Sequence, residues 1–76
     1  MSTVIGAINS MVRGSGKSRR QISMDMGRTE TYLNSIVRNK RRTRVDVLVE
    51  IAKVCGYKLH LVGHGETIVI DNELDD

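Results

Sequence analysis

Phenylalanine, tryptophan and proline are all absent from this chain. The core must therefore be built from aliphatic side chains and methionine, and the chain lacks the usual platform for stacking unpaired bases. A single cysteine, Cys55, excludes an internal disulfide and suits a reducing cytosol. No apolar run approaches the ~18 residues of a membrane span. Met1-Ser2-Thr3 has neither the charged region nor the long apolar run of a signal peptide. A cytoplasmic protein without membrane contact is expected. Only two histidines occur, His60 and His64, and neither has a serine or free cysteine beside it. No nucleophile–base–orienter set is visible, so an enzyme is not expected. His60, His64 and Cys55 have no further ligand at a useful spacing, so no metal or other cofactor is expected. Cys55 reads as a core thiol.

The charge is unevenly placed. All 12 Lys and Arg fall in residues 1–58, beside four acids, for a net +8. Residues 59–76 hold five acids and no Lys or Arg, for a net −5. A basic body suits a polyanion partner. With 76 residues there is room for one domain. A core that small is marginal, and oligomerisation is a common remedy.

Hydrophobic spacing divides the chain. Val4, Ile5, Ile8, Met11 and Val12 recur at helical intervals, with Ser2 or Thr3 as N-cap and Gly14-Ser15-Gly16 as the break. Ser18-Arg19-Arg20-Gln21 has the form of a capping box opening a second helix, which Gly27 ends. Thr29 is placed to cap a third helix with Leu33, Ile36 and Val37 inward, and Asn39 to stop it in a left-handed conformation. Thr43 is placed to cap a fourth, with Val45, Leu48, Ile51, Ala52 and Cys55 inward and Gly56 after its end. Met11, Met24 and Met26 read as gap-filling packing. Beyond Gly56 the period changes. Residues 58–62 and 67–71 are short β-branched runs separated by Gly63-His64-Gly65-Glu66, which predicts a β-hairpin. Residues 72–76 read as a disordered acidic tail.

Two short helices joined at Gly27 carry the functional signal. Ser23 supplies a small residue where the helices cross, and Ile22, Met26, Leu33 and Ile36 supply the packing. This pattern resembles the Cro- and lambda-repressor-like helix-turn-helix family, also called the XRE family. The stretch from Ser18 to Gly27 is similar to its second helix and turn, and the stretch from Arg28 to Lys40 to its third helix. Val45 to Tyr57 is similar to its fourth, and the likeness covers about residues 3–57. The departures are Ser23 for the usual Ala, Arg28 for an apolar residue, Val37 for a frequent Glu and Asn39 for a frequent Gly. The resemblance implies a mainly α fold, a lambda-repressor-like four-helix domain over residues 1–57. A C-terminal β-hairpin over residues 58–71 would follow, similar to the strand additions by which some members dimerise.

The resemblance further implies that a recognition helix, residues 29–39, enters the major groove of double-stranded DNA. Glu30, Thr31, Asn34, Ser35 and Arg38 would then read bases. Asn pairs with adenine, Arg with guanine, and the Thr methyl meets the thymine methyl. Glu30 either accepts from a cytosine amine or orders its neighbours. Backbone contacts fall to Lys17, Ser18, Arg19, Arg28, Tyr32, Lys40, Arg41, Arg42 and Arg44. Tyr32 either stacks on the DNA or covers the edge of the core. Gly14-Ser15-Gly16-Lys17-Ser18 is similar to a phosphate loop, but Met11 stands where the first glycine belongs and a helix precedes it, so nucleotide binding is not expected.

Leu59, Leu61, Ile68 and Ile70 fall on alternate strand positions and share a face. They are expected either to pair with a second chain, giving a homodimer on an inverted repeat, or to fold back on the first helix. The leading functional expectation is a transcriptional repressor or regulator, encoded by a bacterium or phage. The alternatives are an antitoxin that also clamps a toxin protein, and an RNA-binding or protein-interaction module.

Overall fold

A computed structural model describes residues 3–71. Four helices, α1 (Val4–Ser15), α2 (Arg19–Asp25), α3 (Tyr32–Arg38) and α4 (Val45–Cys55), precede two strands, β1 (Leu59–Gly63) and β2 (Glu66–Ile70). The acidic tail expected over residues 72–76 lies outside the described residues.

Apolar stripes on the four helices converge on one centre. Ile8, Ile22, Leu33, Ile36, Ile51 and Cys55 are buried together, with Ile5, Met11, Val12, Met26, Val37 and Leu48 packed around them. Burial pushes the Cys55 thiol above its usual range, which keeps it a neutral core group. Val4, Met24 and Val45, expected inward, are exposed instead. Val4 and Val45 are the first residues of their helices, where the stripe runs past the end of the packed core. Val49, which the helical stripe did not single out, is buried and lines a groove between α4 and the hairpin with Leu59 and Ile70. Tyr57, just after α4, sets its ring against the end of α1. A Cβ added at Gly14, near the end of α1, would collide with its hydroxyl.

The helix starts follow local chemistry only in part. Thr3 accepts the Gly6 N–H at 3.0 Å, and Ser18 accepts the Gln21 N–H at 3.1 Å. The second half of the capping box is not made, because the Gln21 amide donates to Asp25 at 2.8 Å. Thr29 does not cap α3. Its carbonyl accepts the Tyr32 N–H at 3.1 Å in a preceding turn, so the helix begins at Tyr32 and has 7 residues rather than the expected span 29–39. Thr43 does not cap α4 either. Arg44 holds that position without a side-chain cap, and Thr43 Oγ1 is buried with no hydrogen-bond partner.

The uncapped start of α3 is satisfied from another helix. Ser23 is fully buried; its hydroxyl donates to the Arg19 carbonyl at 2.7 Å and accepts the Leu33 N–H at 3.0 Å. Ser23 thus closes one of the free N–H groups at the α3 N-terminus and pins α2 to α3. Ser23→Ala would leave that N–H buried and unpaired. A loss of about 1–3 kcal/mol in urea unfolding is expected. A loss under ~0.3 kcal/mol would show that the hydroxyl bond contributes nothing net.

Three helix ends share one stop. At α2, Gly27 has φ 74° and the Arg28 N–H returns to the Ser23 carbonyl at 3.0 Å. At α4, Gly56 has φ 83° and the Tyr57 N–H returns to the Ala52 carbonyl at 2.7 Å. At α3 the expected left-handed residue, Asn39, has φ −90°, and Lys40 takes the role with φ 49°. The Arg41 N–H then bonds the Ile36 carbonyl at 3.1 Å. The missing glycine hid this stop from the sequence pattern.

The hairpin is antiparallel and tighter than expected. Leu59 faces Ile70, Leu61 faces Ile68, and Gly63 faces Glu66, so the turn is His64-Gly65 alone. Both turn residues have positive φ, 49° and 74°, the geometry that matches strand twist in a two-residue turn. The strands consequently run one residue later in β1 and one earlier in β2 than the composition suggested. The hairpin meets the helical body at α4.

Candidate nucleic-acid interface

The residues expected to read bases lie on one polar face. Thr31, Asn34, Ser35, Arg38 and Asn39 line one shallow hollow, and Ser18, Arg19, Arg20, Glu30, Thr31 and Asn34 line the next. Thr31 and Asn34 belong to both, so the face is continuous from the start of α2 along α3. Glu30 and Thr31 stand in the turn before α3, while Asn34, Ser35 and Arg38 stand on the helix itself. Leu33 and Ile36 turn the opposite way into the core.

Hydrogen bonds order this face. Arg19 is half-buried; its Nη1 donates to Asn34 Oδ1 at 3.0 Å and its Nη2 to Asn9 Oδ1 at 3.1 Å. One guanidinium therefore joins α1, α2 and α3. The Asn39 amide donates to the Ser35 hydroxyl at 3.3 Å. Glu30 accepts from Arg20 Nε at 3.0 Å, with both side chains well exposed. Of its two expected roles, ordering its neighbour is the one this pairing fits.

No family model, curated protein or solved structure matches the chain. The character of the face rests on its own chemistry.

Of the cations expected to contact the backbone, Arg19 is engaged by Asn34 and Asn9, and the others, taken with the base-reading Arg38, divide into two groups. Lys17 pairs with Asp25 at 3.0 Å, Arg28 with Glu50 at 3.7 Å, and Arg44 with Asp46 at 3.3 Å. The Gln21 amide and then the Lys17 ammonium hold the Asp25 carboxyl below its usual range. Arg38, Lys40, Arg41 and Arg42 are exposed and make no ion pair among the described residues. These four follow one another at the end of α3, where the left-handed Lys40 turns the chain. Uncompensated positive charge at the C-terminal end of α3 complements the helix dipole and faces solvent.

Tyr32 covers the edge of the core, packing against the buried cluster. The Arg28 guanidinium lies over its ring, 4.9 Å from the centroid. The Ser18 hydroxyl accepts the Gln21 N–H as the α2 cap. The Gly14–Ser18 segment ends a helix, with Gly16 at φ 73° as the cap, rather than leading out of a strand. Three contributors escaped the sequence reading: Asn9, Arg20 and the hydroxyl role of Ser23. Asn9 and Arg20 carry no local signal, because their partners lie 10 residues away in sequence.

Among the described residues, no three His, Cys, Asp or Glu side chains cluster closely enough to hold a metal, and no helix is long and apolar enough to cross a membrane.

Proposed function

We propose that this chain binds double-stranded DNA sequence-specifically, as a dimeric cytoplasmic regulator of the Cro- and lambda-repressor-like helix-turn-helix kind. One observation carries the reading. A continuous polar face on α3 and the turn before it ends in Arg38 and is flanked by Lys40, Arg41 and Arg42, all without a carboxylate partner among the described residues, on a helix pair pinned at a buried serine. Such a face supplies the two components DNA recognition needs, base-edge hydrogen bonding and phosphate neutralisation. The width of an α-helix suits the major groove.

Selection of bound duplexes from a random pool tests the proposal, since a specific reader enriches a motif and a symmetric dimer enriches an inverted repeat. Ser35→Ala or Arg38→Ala is expected to cost roughly 1–3 kcal/mol on the selected site with the fold intact. Equal losses on selected and random duplexes would remove the base-reading role. Arg41→Ala with Arg42→Ala is expected to weaken binding to every duplex. The salt dependence should flatten by about one unit of slope per lost phosphate contact. An unchanged slope would leave these arginines as a solvated surface.

The hairpin favours a second reading of the same body, an antitoxin. Its apolar character is not confined to the Leu61–Ile68 face, for Val62 and Val69 on the other face are 81% and 55% exposed. A protein partner on that second face would leave a dimer joined through the first. Co-expression with the product of the neighbouring reading frame tests this. A complex broken by Val62→Asp, with the dimer preserved, supports it.

A further inference from the structure

A guanidinium carries five N–H donors and no acceptor. The amide atom facing it must therefore be the carbonyl oxygen. This fixes the orientation of Asn34, whose Oδ1 accepts from Arg19 at 3.0 Å. It also fixes Asn9, whose Oδ1 accepts from the other terminal nitrogen at 3.1 Å and steadies the guanidinium from α1. All three side chains are half-buried, so the bonds are partly shielded from competing water. With its oxygen held towards Arg19 on α2, the Asn34 amide directs its NH2 the other way, and Asn34 lines both hollows of the polar face.

We propose that Arg19 is a positioning residue that makes Asn34 a donor-only reader, selecting guanine or thymine over adenine in the major groove. This rests on the DNA-reading function proposed above. A free asparagine amide matches adenine through two bonds, its oxygen accepting from N6 and its nitrogen donating to N7. Here Arg19 takes one of the oxygen's two lone pairs and holds the oxygen towards α2, so that it is turned away from a base that the amide nitrogen meets. Adenine would then offer one acceptor, N7, beside an N6 amino group set against the amide donors, and cytosine would offer only its N4 amino group. Guanine offers two adjacent acceptors, N7 and O6, and thymine offers O4. The order of preference is guanine, then thymine, with the amino-bearing bases last. Asn9, remote from the reading helix in sequence, enters the specificity through the same guanidinium.

The experiment is selection from random duplexes by the full chain, by Asn34→Ala and by Arg19→Met. The methionine variant keeps the apolar stem and removes every donor, and circular dichroism checks its fold. Asn34→Ala identifies the base position that Asn34 reads, as the one whose preference flattens. At that position the wild-type chain is expected to favour guanine or thymine over adenine about tenfold. Arg19→Met is expected to shift the preference to adenine, because Oδ1 becomes free. A second arm needs no variant of Arg19. On a selected site with guanine there, 7-deazaguanine should weaken wild-type binding several-fold. Selection of adenine by the wild-type chain overturns the inference, as does a preference that Arg19→Met leaves unchanged. If the chain enriches a motif in which no position depends on Asn34, the inference falls while the DNA-reading function stands. If no motif emerges at all, the function falls and takes the inference with it.

Discussion

Leu33→Ala is expected to cost about 2–5 kcal/mol of folding free energy. Leu33 is fully buried at the junction of α2 and α3, and its own N–H is bonded by Ser23. Truncation removes its apolar contacts and leaves a cavity that flanking helices, held by Ser23 and Gly27, fill poorly. Domains are typically stable by only ~0.05–0.15 kcal/mol per residue. The loss is therefore comparable with the whole stability of a chain this short. Urea unfolding followed by helical circular dichroism, at one fixed protein concentration, measures it. Val45→Ala serves as the control, because that side chain is 61% exposed and a change within about 0.5 kcal/mol is expected. A Leu33→Ala variant within 1 kcal/mol of the parent would mean that the helix pair is not the keystone of the core.

Leu61→Lys together with Ile68→Lys is expected to abolish the proposed dimer and to lower affinity for an inverted repeat at least a hundredfold. The two residues face each other across the hairpin and are 55% and 47% exposed, an apolar pair left largely uncovered by the described residues. An isolated hairpin has little stability of its own, and its free edges leave backbone groups unpaired. Pairing with a second chain would bury both and produce a two-fold assembly. That assembly would set two α3 helices roughly 34 Å apart, one turn of DNA. Linking two half-sites raises avidity by about 10²–10⁴ over one, which sets the size of the loss. Leu59 and Ile70, the other members of this face, are half-buried beside α4, so lysine there would damage the fold as well. Leu61 and Ile68 avoid that confusion. Sedimentation equilibrium at tens of micromolar, paired with titration of the selected duplex, tests the claim. A parent chain that stays monomeric, or a double-lysine variant that binds an inverted repeat as tightly, would dispose of the strand-joined dimer.

Those features that depend on neighbours in sequence were legible in the residues. Ser18 followed by Gln21 marked the start of α2, and Gly27 and Gly56 marked the ends of α2 and α4, because a cap or a left-handed stop is a property of a few consecutive residues. Ile8, Ile22, Leu33, Ile36, Ile51 and Cys55 announced themselves through helical spacing and are all buried. The hairpin followed from the change of period, and its four apolar residues do share a face. Errors arose where two local solutions compete. Thr29 and Thr43 are both good caps by type, yet the chain begins each helix one or more residues later. Lys40 adopts a left-handed conformation that its side chain does not advertise.

By itself, then, the sequence determined the number and order of the elements, the central residues of each helix's inward stripe and the basic charge of the body, since each depends on spacing or composition alone. Tertiary structure alone decided how those stripes and charges meet. It capped α3 with a serine from α2, hid Val49 behind the hairpin and left Val4 and Val45 beyond the core. It also sorted the cations, giving Lys17, Arg20, Arg28 and Arg44 carboxylate partners and leaving Arg38, Lys40, Arg41 and Arg42 without an ion pair among the described residues. The orientation of Asn34 is of the same kind. It depends on a guanidinium 15 residues away, itself held by a second asparagine on another helix. A hydrogen bond needs two groups within about 3 Å and correctly aimed, and for residues this far apart only the packing of the helices sets that distance.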